Sequence, residues 1–285
     1  MLVESQVKLP PLALTGIDLL CESWSDYIMV YDYAIDPEEL VASLQQALNR
    51  NPYFGGRKWC GEDGKGYVTS EGGAQVEVVY HEGERPDDFV GFELANDHLF
   101  CDRTNRRKHR TSRTSFKVAL FQVKVHVFKS STVIGFSVWH SLADGSTFFD
   151  FINAWTSIHR GEEAPAINFE RIERDISQSD SDFSDSLKEV SFYTNKEKQI
   201  QPMQEKTFVL TSAQQQQIFA LHNPEQTVMN VDVLPAFIWQ MIVSSMPKSA
   251  EPVTSLYSVY DVRPLVGLCD NYVGNLLYYP KVSIN

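Results

Sequence analysis

Hydrophobic and polar positions along the chain predict short strands interleaved with a few amphipathic helices. Apolar residues either alternate with polar ones or run together, as they do in half-buried and fully buried strands. The predicted strands are residues 25–33, 75–80, 116–128, 132–139, 206–210, 253–262 and 276–279. The strand at 116–128 is expected to pair with 133–139 through the short link 129–131, and a hairpin is expected around Gly64. This order predicts a mixed α/β protein with antiparallel hairpins more than βαβ units.

Several segments carry the 3.6-residue periodicity of a helix that is buried on one face. The first begins with Asp36 as N-cap and Pro37 at the first helical position, and Asn51 is expected to stop it. Further helices are predicted from Ser146, after Thr211 and from Val233. A chain of 285 residues with these elements is long enough for one large domain or two smaller ones.

The stretch 132–161 holds the strongest candidate for chemistry. Its apolar strand ends in His140, which is followed four positions later by Asp144, then by Gly145 and a helix start. An imidazole at the end of a buried strand is either a base at the mouth of a cavity or a structural histidine, and the pattern leaves both open. A second H-x-x-x-D match, at 98–102, lies in a polar segment without a strand before it, and we interpret it as chance.

Charge and cysteine content narrow the expected partners and compartment. A formal net charge of -12 argues against broad attraction to nucleic acid or to an anionic membrane. The four cysteines show neither C-x-x-C nor zinc-ligand spacing, which predicts reduced thiols, no metal site and a cytoplasmic protein. The N-terminus lacks a signal-peptide pattern, and polar residues and a proline interrupt the most apolar stretch, 228–244, so we expect no membrane span.

Two polar segments bear on how the chain is divided. Residues 175–190 are rich in Ser and Asp, which is typical of a linker. We therefore expect an N-terminal domain over 1–174, a linker over 175–205 and a partial second domain over 206–285. The second polar segment, residues 81–115, contains a basic cluster that fits a solvated loop, a phosphate-binding patch or a localisation signal. Its members are Arg103, Arg106, Arg107, Lys108, Arg110 and Arg113.

Motifs of several common enzyme classes are absent from the sequence. It contains no G-x-S-x-G, no G-x-G-x-x-G, no P-loop and no H-E-x-x-H. The sequence therefore does not favour four common classes: serine hydrolases with a nucleophile elbow, dinucleotide-dependent dehydrogenases, P-loop NTPases and zinc peptidases. A histidine without a nucleophilic partner in sequence indicates direct attack of one substrate on another.

Several segments resemble the BAHD acyl-CoA-dependent acyltransferases. VWHSLADG resembles the H-x-x-x-D-G motif of that family, and FKVALFQVKVHVFKSSTVIGFS before it resembles the hairpin that leads into the motif. IMVYDY, LVASLQQALNRNPYFGGR, VDVLPAFIWQ and YSVYDVRPLVGLCDNYVGN are similar to further segments of the family, in the same order and over nearly the whole chain. The resemblance implies a chloramphenicol-acetyltransferase-like mixed sheet with flanking helices, as a first domain plus an incomplete second domain.

The resemblance implies roles for the motif residues. His140 is expected to act as the general base, and Asp144 is the second residue of the catalytic motif. Asp144 is expected to point away from the substrate, to pair with Arg263 and to hold the turn that orients His140. A surface arginine beside Pro264 is the alternative interpretation of Arg263.

Four further residues are expected to support the site. Gly145 is expected to let the backbone fold tightly ahead of the helix. Tyr31 matches a position that lines the acceptor pocket in the family, and an ordinary core tyrosine is the alternative. Gly274 and Asn275 match a family turn with a structural role.

The implied reaction transfers an acyl group from acyl-CoA to the hydroxyl or amine of a small molecule, in secondary metabolism and without a permanently bound cofactor. We expect a monomer whose partners are acyl-CoA and the acceptor. The family's downstream D-F-G-W-G signature is not in the sequence, so the chain resembles a truncated member. The alternative is therefore a non-catalytic relative that acts as a binding protein. A condensation-type domain fits less well, because Trp139 stands where such domains usually carry a second histidine.

Overall fold

The structure, a computed structural model, describes residues 1–91, 96–102, 117–165, 167–169, 207–246, 254–267 and 271–284. The chain forms two compact units, one from Met1–Gln204 with Asp261–Leu277 and the other from Glu205–Tyr260 with Tyr278–Asn285. The predicted linker at 175–205 and the basic cluster at 103–113 lie outside the described residues. The predicted domain boundaries at 174 and 206 stay predictions.

The described elements alternate between strands and helices. The strands are β1 (Leu2–Val3), β2 (Leu12–Ala13), β3 (Trp24–Tyr31), β4 (Lys58–Cys60), β5 (Gly66–Val68), β6 (Ala74–Tyr80), β7 (Phe121–Val127), β8 (Thr132–Trp139), β9 (Thr254–Tyr257), β10 (Tyr260–Asp261), β11 (Leu277–Tyr278) and β12 (Lys281–Ile284). The helices are α1 (Gly16–Leu20), α2 (Pro37–Arg50), α3 (Gly145–His159), α4 (Ser212–His222), α5 (Asn230–Ser245) and α6 (Arg263–Val266), with 3-10 turns at Pro52–Gly55 and Asn96–Leu99.

A mixed sheet in the first unit positions the candidate site. Within the described residues its strand order is β1-β6-β7-β8-β3, with β6 and β7 parallel and the other neighbours antiparallel. Every residue of β8 is buried, because strands cover both of its edges and side chains cover both of its faces. This burial explains why its sequence is an uninterrupted apolar and small-residue run rather than an alternating one.

Helices α2 and α3 share one apolar core with this sheet. Leu44 and Leu48 of α2 and Phe151 of α3 belong to the same buried cluster as Phe121 of β7. Phe151 stacks on Phe54 with ring centroids 3.9 Å apart, and Phe121 meets both rings edge-on. Burial of large aromatic side chains supplies much of the stability of such a core, and it fixes α3 over the end of β8.

A buried turn after α2 is held together by one arginine. The Arg57 guanidinium donates to the carbonyl oxygens of Lys117 (2.9 Å), Gly56 (2.7 Å), Gly73 (2.7 Å) and Gly72 (2.6 Å). These acceptors come from three separate loops, which a planar group with five donors can join at once. Burial lowers the pKa of Arg57, although Glu4 opposes that shift.

The structure confirms several predicted elements and corrects others. The helix capped by Asp36, the hairpin around Gly64 and the pairing of β7 with β8 are as predicted. Residues 207–210 do not form the predicted strand, and they are mostly exposed. The strand predicted over 253–262 is split into β9 and β10.

Three further boundaries differ from the prediction. Strand β7 begins at Phe121 rather than at 116. Helix α5 begins at Asn230, ahead of the predicted start, so Pro235 lies inside the helix. Helix α1 is not among the elements predicted from the sequence. Within the described residues, no helix is both long and apolar enough to cross a bilayer.

Candidate active site

His140 directly follows the last residue of β8. Trp139 pairs with Trp24 at the start of β3, and the His140 amide donates to the Ser23 carbonyl at 2.9 Å, so the sheet pairing continues to the histidine backbone. This hydrogen bond fixes the backbone of His140, and the residue as a whole is only partly buried. The prediction that His140 stands at the end of a buried strand is confirmed, and the imidazole is not sealed inside the core.

Asn275 holds the imidazole through a hydrogen bond of 3.0 Å between its Oδ1 and His140 Nδ1. The Asn275 Nδ2 donates to His140 O at 2.8 Å and to Asp18 Oδ1 at 3.0 Å. Both of those atoms only accept, so the orientation of the amide is settled and its Oδ1 faces the ring. Nδ1 of a neutral His140 must therefore carry the proton, which leaves the lone pair on Nε2. Among the described residues none bonds to Nε2.

Asp144 holds the turn after His140 with both carboxylate oxygens. Its Oδ1 accepts from the Thr147 amide at 2.9 Å, which makes Asp144 the N-cap of α3, and its Oδ2 accepts from the Leu276 amide at 3.1 Å. Arg263 binds the same two oxygens through Nη1 and Nη2 at 2.9 and 3.0 Å. With these oxygens engaged, Asp144 points away from the imidazole, as expected from the sequence.

Arg263 joins the segment 271–276 to the start of α3. Besides Asp144, its Nη2 donates to Thr147 Oγ1 (3.0 Å) and to the carbonyl of Gly274 (2.9 Å), and its Nη1 lies 3.0 Å from Asp261 Oδ1. Burial opposes the charged guanidinium, but the hydrogen bonds and charge of Asp144 and then Asp261 outweigh it and raise the pKa of Arg263. The side chains of Arg263 and Asp144 are each 1% exposed, so Arg263 is not the surface arginine of the alternative interpretation.

Gly274 and Gly145 differ in whether their backbone positions require a glycine. Gly274 has φ of 132°, a backbone conformation that side chains disfavour, and it directly precedes Asn275. Gly145 is the first residue of α3, and a Cβ added there would meet no atom within 4 Å. The expectation that Gly145 is needed for a tight turn is therefore wrong in steric terms; the strained glycine of the site is Gly274.

Tyr31 lies at the other end of the sheet. It pairs with Thr132 at the start of β8, so by strand rise it is roughly 25 Å from His140. Its hydroxyl donates to Met29 Sδ at 3.4 Å, and its ring meets Tyr33 edge-on. Burial raises its pKa. The structure does not bring Tyr31 to His140, and its role in the acceptor pocket stays a prediction.

Sequence reasoning missed Asp18 and the contact of Asn275 with the imidazole. Asp18 is fully buried and accepts from the amide and hydroxyl of Thr15, each at 2.8 Å, in a capping box of α1. The signal was present, since a threonine followed by an acid three residues later is typical of a helix start. The contact with Asn275, more than two hundred residues away, had no local signal.

The described residues contain no group of three or more His, Cys, Asp or Glu side chains arranged to hold a metal ion. Three cysteines among them, Cys21, Cys60 and Cys101, are not in disulfide bonds. The arrangement at His140 thus consists of an imidazole, an amide and a buried ion pair.

Fold and site together define a protein of the chloramphenicol-acetyltransferase-like class. Residues 87–283 match the model of the Transferase family. The chain therefore belongs to this family, which is the BAHD-type family that its sequence resembles. A comparison with curated protein sequences gives no significant match.

Solved structures with similar folds share little sequence with the chain. Vinorine synthase has 16% identity and a TM-score of 0.68, over 100% of this chain and 70% of that one. TRI101 of F. graminearum, complexed with coenzyme A and T-2 mycotoxin, has 12% identity and a TM-score of 0.62, over 97% and 70%. A condensation domain of the calcium-dependent antibiotic synthetase has 11% identity and a TM-score of 0.59, over 97% and 69%. At these identities the similarity concerns the fold.

Proposed function

We propose that the protein transfers an acyl group from acyl-CoA to the hydroxyl or amine of a small molecule, with His140 as the general base. The observation that carries the proposal is the hydrogen bond between His140 Nδ1 and Asn275 Oδ1, at 3.0 Å. It leaves the Nε2 lone pair of a partly buried imidazole free to take a proton. A neutral histidine with one nitrogen engaged and the other open is the usual form of a general base near neutral pH.

The reaction needs no acyl-enzyme intermediate. His140 Nε2 takes the proton of the acceptor hydroxyl or amine while the acceptor atom attacks the thioester carbonyl. The tetrahedral intermediate then expels the CoA thiolate, and the imidazolium returns the proton to give free CoA and the ester or amide. Proton transfer by a positioned imidazole typically contributes about 10²- to 10⁴-fold to the rate.

Asp144 and Arg263 act in this proposal as positioning residues. Their bidentate pair, at 2.9 and 3.0 Å, connects the N-terminus of α3 to the segment that carries Asn275. Because Asn275 contacts the imidazole directly, a shift of this segment would change the position of the base. The pair therefore supports the geometry of His140 without touching the reacting atoms.

Coenzyme A as the acyl carrier is supported by membership of the Transferase family and by TRI101 structures that contain coenzyme A. TRI101 structures with T-2 mycotoxin or deoxynivalenol support a small-molecule acceptor by analogy of fold. The acyl group and the acceptor of this chain are best identified by direct assay.

The test is CoA release, followed with a thiol reagent, over a panel of acyl-CoAs and small alcohols and amines. We expect wild-type turnover with at least one pair, and a loss of about 10²-fold or more in His140→Ala with the fold intact. His222→Ala, which changes an exposed histidine at the end of α4, is the matched control and should keep wild-type turnover.

Two outcomes would contradict the proposal. Equal turnover of His140→Ala and the wild type would refute the role of the base. Binding of CoA or an acceptor without any turnover by the wild type would favour the non-catalytic relative.

A further inference from the structure

Asp18 is a buried carboxylate that the reaction proposed above does not use. It lies on α1, far from the H-x-x-x-D-G segment in sequence, and it is 0% exposed. A buried carboxylate is costly unless hydrogen bonds compensate for the loss of water. Its two oxygens have different partners, Thr15 and Asn275.

The Oδ2 atom of Asp18 completes the capping box of α1. It accepts from the Thr15 amide and from Thr15 Oγ1, each at 2.8 Å. These bonds are local and support the helix start. They would be sufficient if the role of Asp18 were only to cap α1.

The Oδ1 atom of Asp18 faces Asn275 instead. It accepts from the Asn275 amide at 2.9 Å and from the Asn275 Nδ2 at 3.0 Å. Asn275 is 2% exposed, so its donors have no water to replace this carboxylate. Asp18 thus anchors both the backbone and the side chain of the residue that holds His140 Nδ1.

We propose that Asp18 is a positioning residue that sets the tautomer of His140 through Asn275. The carboxylate fixes the amide so that its Oδ1 accepts from Nδ1–H, and its negative charge polarises the amide in the sense that strengthens this bond. The proton is then held on Nδ1, and Nε2 stays unprotonated. A ring without this partner is free to carry its proton on Nε2, where it cannot serve as a base.

The experiment is nitrogen-15 NMR of the histidine rings in the full chain, with His140 assigned by comparison with His140→Ala. In the wild type we expect the neutral ring to be predominantly protonated on Nδ1. In Asp18→Ala we expect the ratio of Nδ1–H to Nε2–H to fall on the order of tenfold, the effect of weakening one hydrogen bond to a charged partner.

Two variants separate positioning from helix capping. Thr15→Val removes the hydroxyl partner of Oδ2 and leaves Oδ1 intact, so it should keep the wild-type tautomer. Asp18→Asn retains an oxygen that can face Asn275, but its NH₂ then faces the Thr15 amide donor, so it should restore part of the ratio lost in Asp18→Ala. If Asp18→Ala does not fold, Asp18→Ser takes its place, because its short hydroxyl leaves the Asn275 amide without its carboxylate.

A wild-type ring protonated on Nε2, or an unchanged tautomer in a folded Asp18→Ala or Asp18→Ser, would overturn the inference. The inference rests on the proposed function only in the catalytic role that it gives to the Nδ1–H tautomer. The tautomer itself is measured by NMR without a substrate. A protein that shows the expected tautomers and no acyl transfer would refute the proposed function alone. Where an acyl pair is turned over, Asp18→Ala should lower kcat by up to about tenfold, in step with the loss of the Nδ1–H tautomer, and Thr15→Val should not.

Discussion

At the scale of single residues, the buried pair of Asp144 and Arg263 has the largest energetic consequence. Removal of Arg263 leaves the buried charge of Asp144 without its partner, and removal of Asp144 leaves Arg263 with Asp261 as its remaining counter-ion. Asp144 also orients Arg263, whose Nη2 donates to Thr147 Oγ1 and to the Gly274 carbonyl, so loss of Asp144 weakens these two bonds as well. The pair therefore behaves as one unit.

We expect Asp144→Ala and Arg263→Ala each to lower the free energy of unfolding by about 3–5 kcal/mol in urea titrations. The double variant should cost clearly less than the sum, because the second substitution removes a charge that the first has already left unpaired. Simple additivity would argue against the contact. Arg160→Ala, which breaks an exposed pair with Glu162, is the control and should change stability very little.

His126 gives stability a dependence on pH. The side chain is buried in β7, its Nδ1 lies 2.9 Å from His81 Nε2, and its own Nε2 has no hydrogen-bond partner among the described residues. Burial, followed by the charge of Lys124 and of the neighbouring histidines, lowers the pKa of His126 to about 4 from the ordinary 6.5. Between these values the unfolded chain binds the proton and the folded chain does not.

Stability should therefore be fully present above about pH 6.5 and fall as the pH is lowered toward 4. We expect the urea midpoint to drop between pH 7.5 and pH 5 in the wild type. The drop should be smaller in His126→Gln, which cannot titrate at this position. The same pH dependence in both proteins would show that another group is responsible.

At the scale of elements, the strands and helices of the first unit are connected by loops that depend on specific side chains. Arg57 is the clearest case, because its donors reach carbonyl groups of loops before β4, before β6 and before β7. A lysine has one charged atom in place of the planar fork and cannot reach these carbonyls together.

Arg57→Lys should lower the free energy of unfolding by about 2 kcal/mol or more, since several carbonyls, most of them in part-buried hydrogen bonds, lose a charged donor. The matched control is Arg50→Lys, since the structure gives Arg50 one such bond, from Nη1 to the Ala164 carbonyl at 2.8 Å. Thermal or urea unfolding of the two variants gives the comparison. A smaller effect for Arg57→Lys than for Arg50→Lys would contradict the bridging role.

Element prediction succeeded where local signals were complete. Asp36 with Pro37 fixed the start of α2, and the short polar link at 129–131 fixed the hairpin of β7 and β8. It failed at 207–210, where β-type residues do not form a strand. A strand needs a neighbour to satisfy its backbone groups, and the neighbour is not encoded in the segment itself.

At the scale of the whole molecule, each compact unit is built from two stretches that are not consecutive in the chain. Residues 261–277 return to the first unit although they follow the second unit's helices in sequence. Arg263 and Asn275 hold this return segment against α3 and α1, through Asp144 and Asp18. The candidate site is complete only because of this return.

We expect a chain cut at a protease site inserted within 175–205 to stay together on size-exclusion chromatography in native buffer. The fragment that carries 261–277 should remain bound to the fragment that carries α1 and α3, because the Asp144–Arg263 pair and the Asn275 contacts are buried. Arg263→Ala in the same cut protein should promote separation. Spontaneous separation of the cut wild-type fragments would show that residues 261–277 are not stably bound to the fragment that carries α1 and α3.

The sequence by itself determined the strand that ends in His140, the helix that starts at Asp144, and the motif that links the chain to its family. These features depend on residues that are close in sequence, where periodicity, capping and motif spacing are visible. Only the tertiary structure decided that Asn275 contacts both His140 and Asp18, that Gly274 rather than Gly145 needs to be a glycine, and that Tyr31 lies at the far end of the sheet. The physical reason is that hydrogen bonds between buried groups form wherever the fold brings donors and acceptors together, and a sequence does not display those distances.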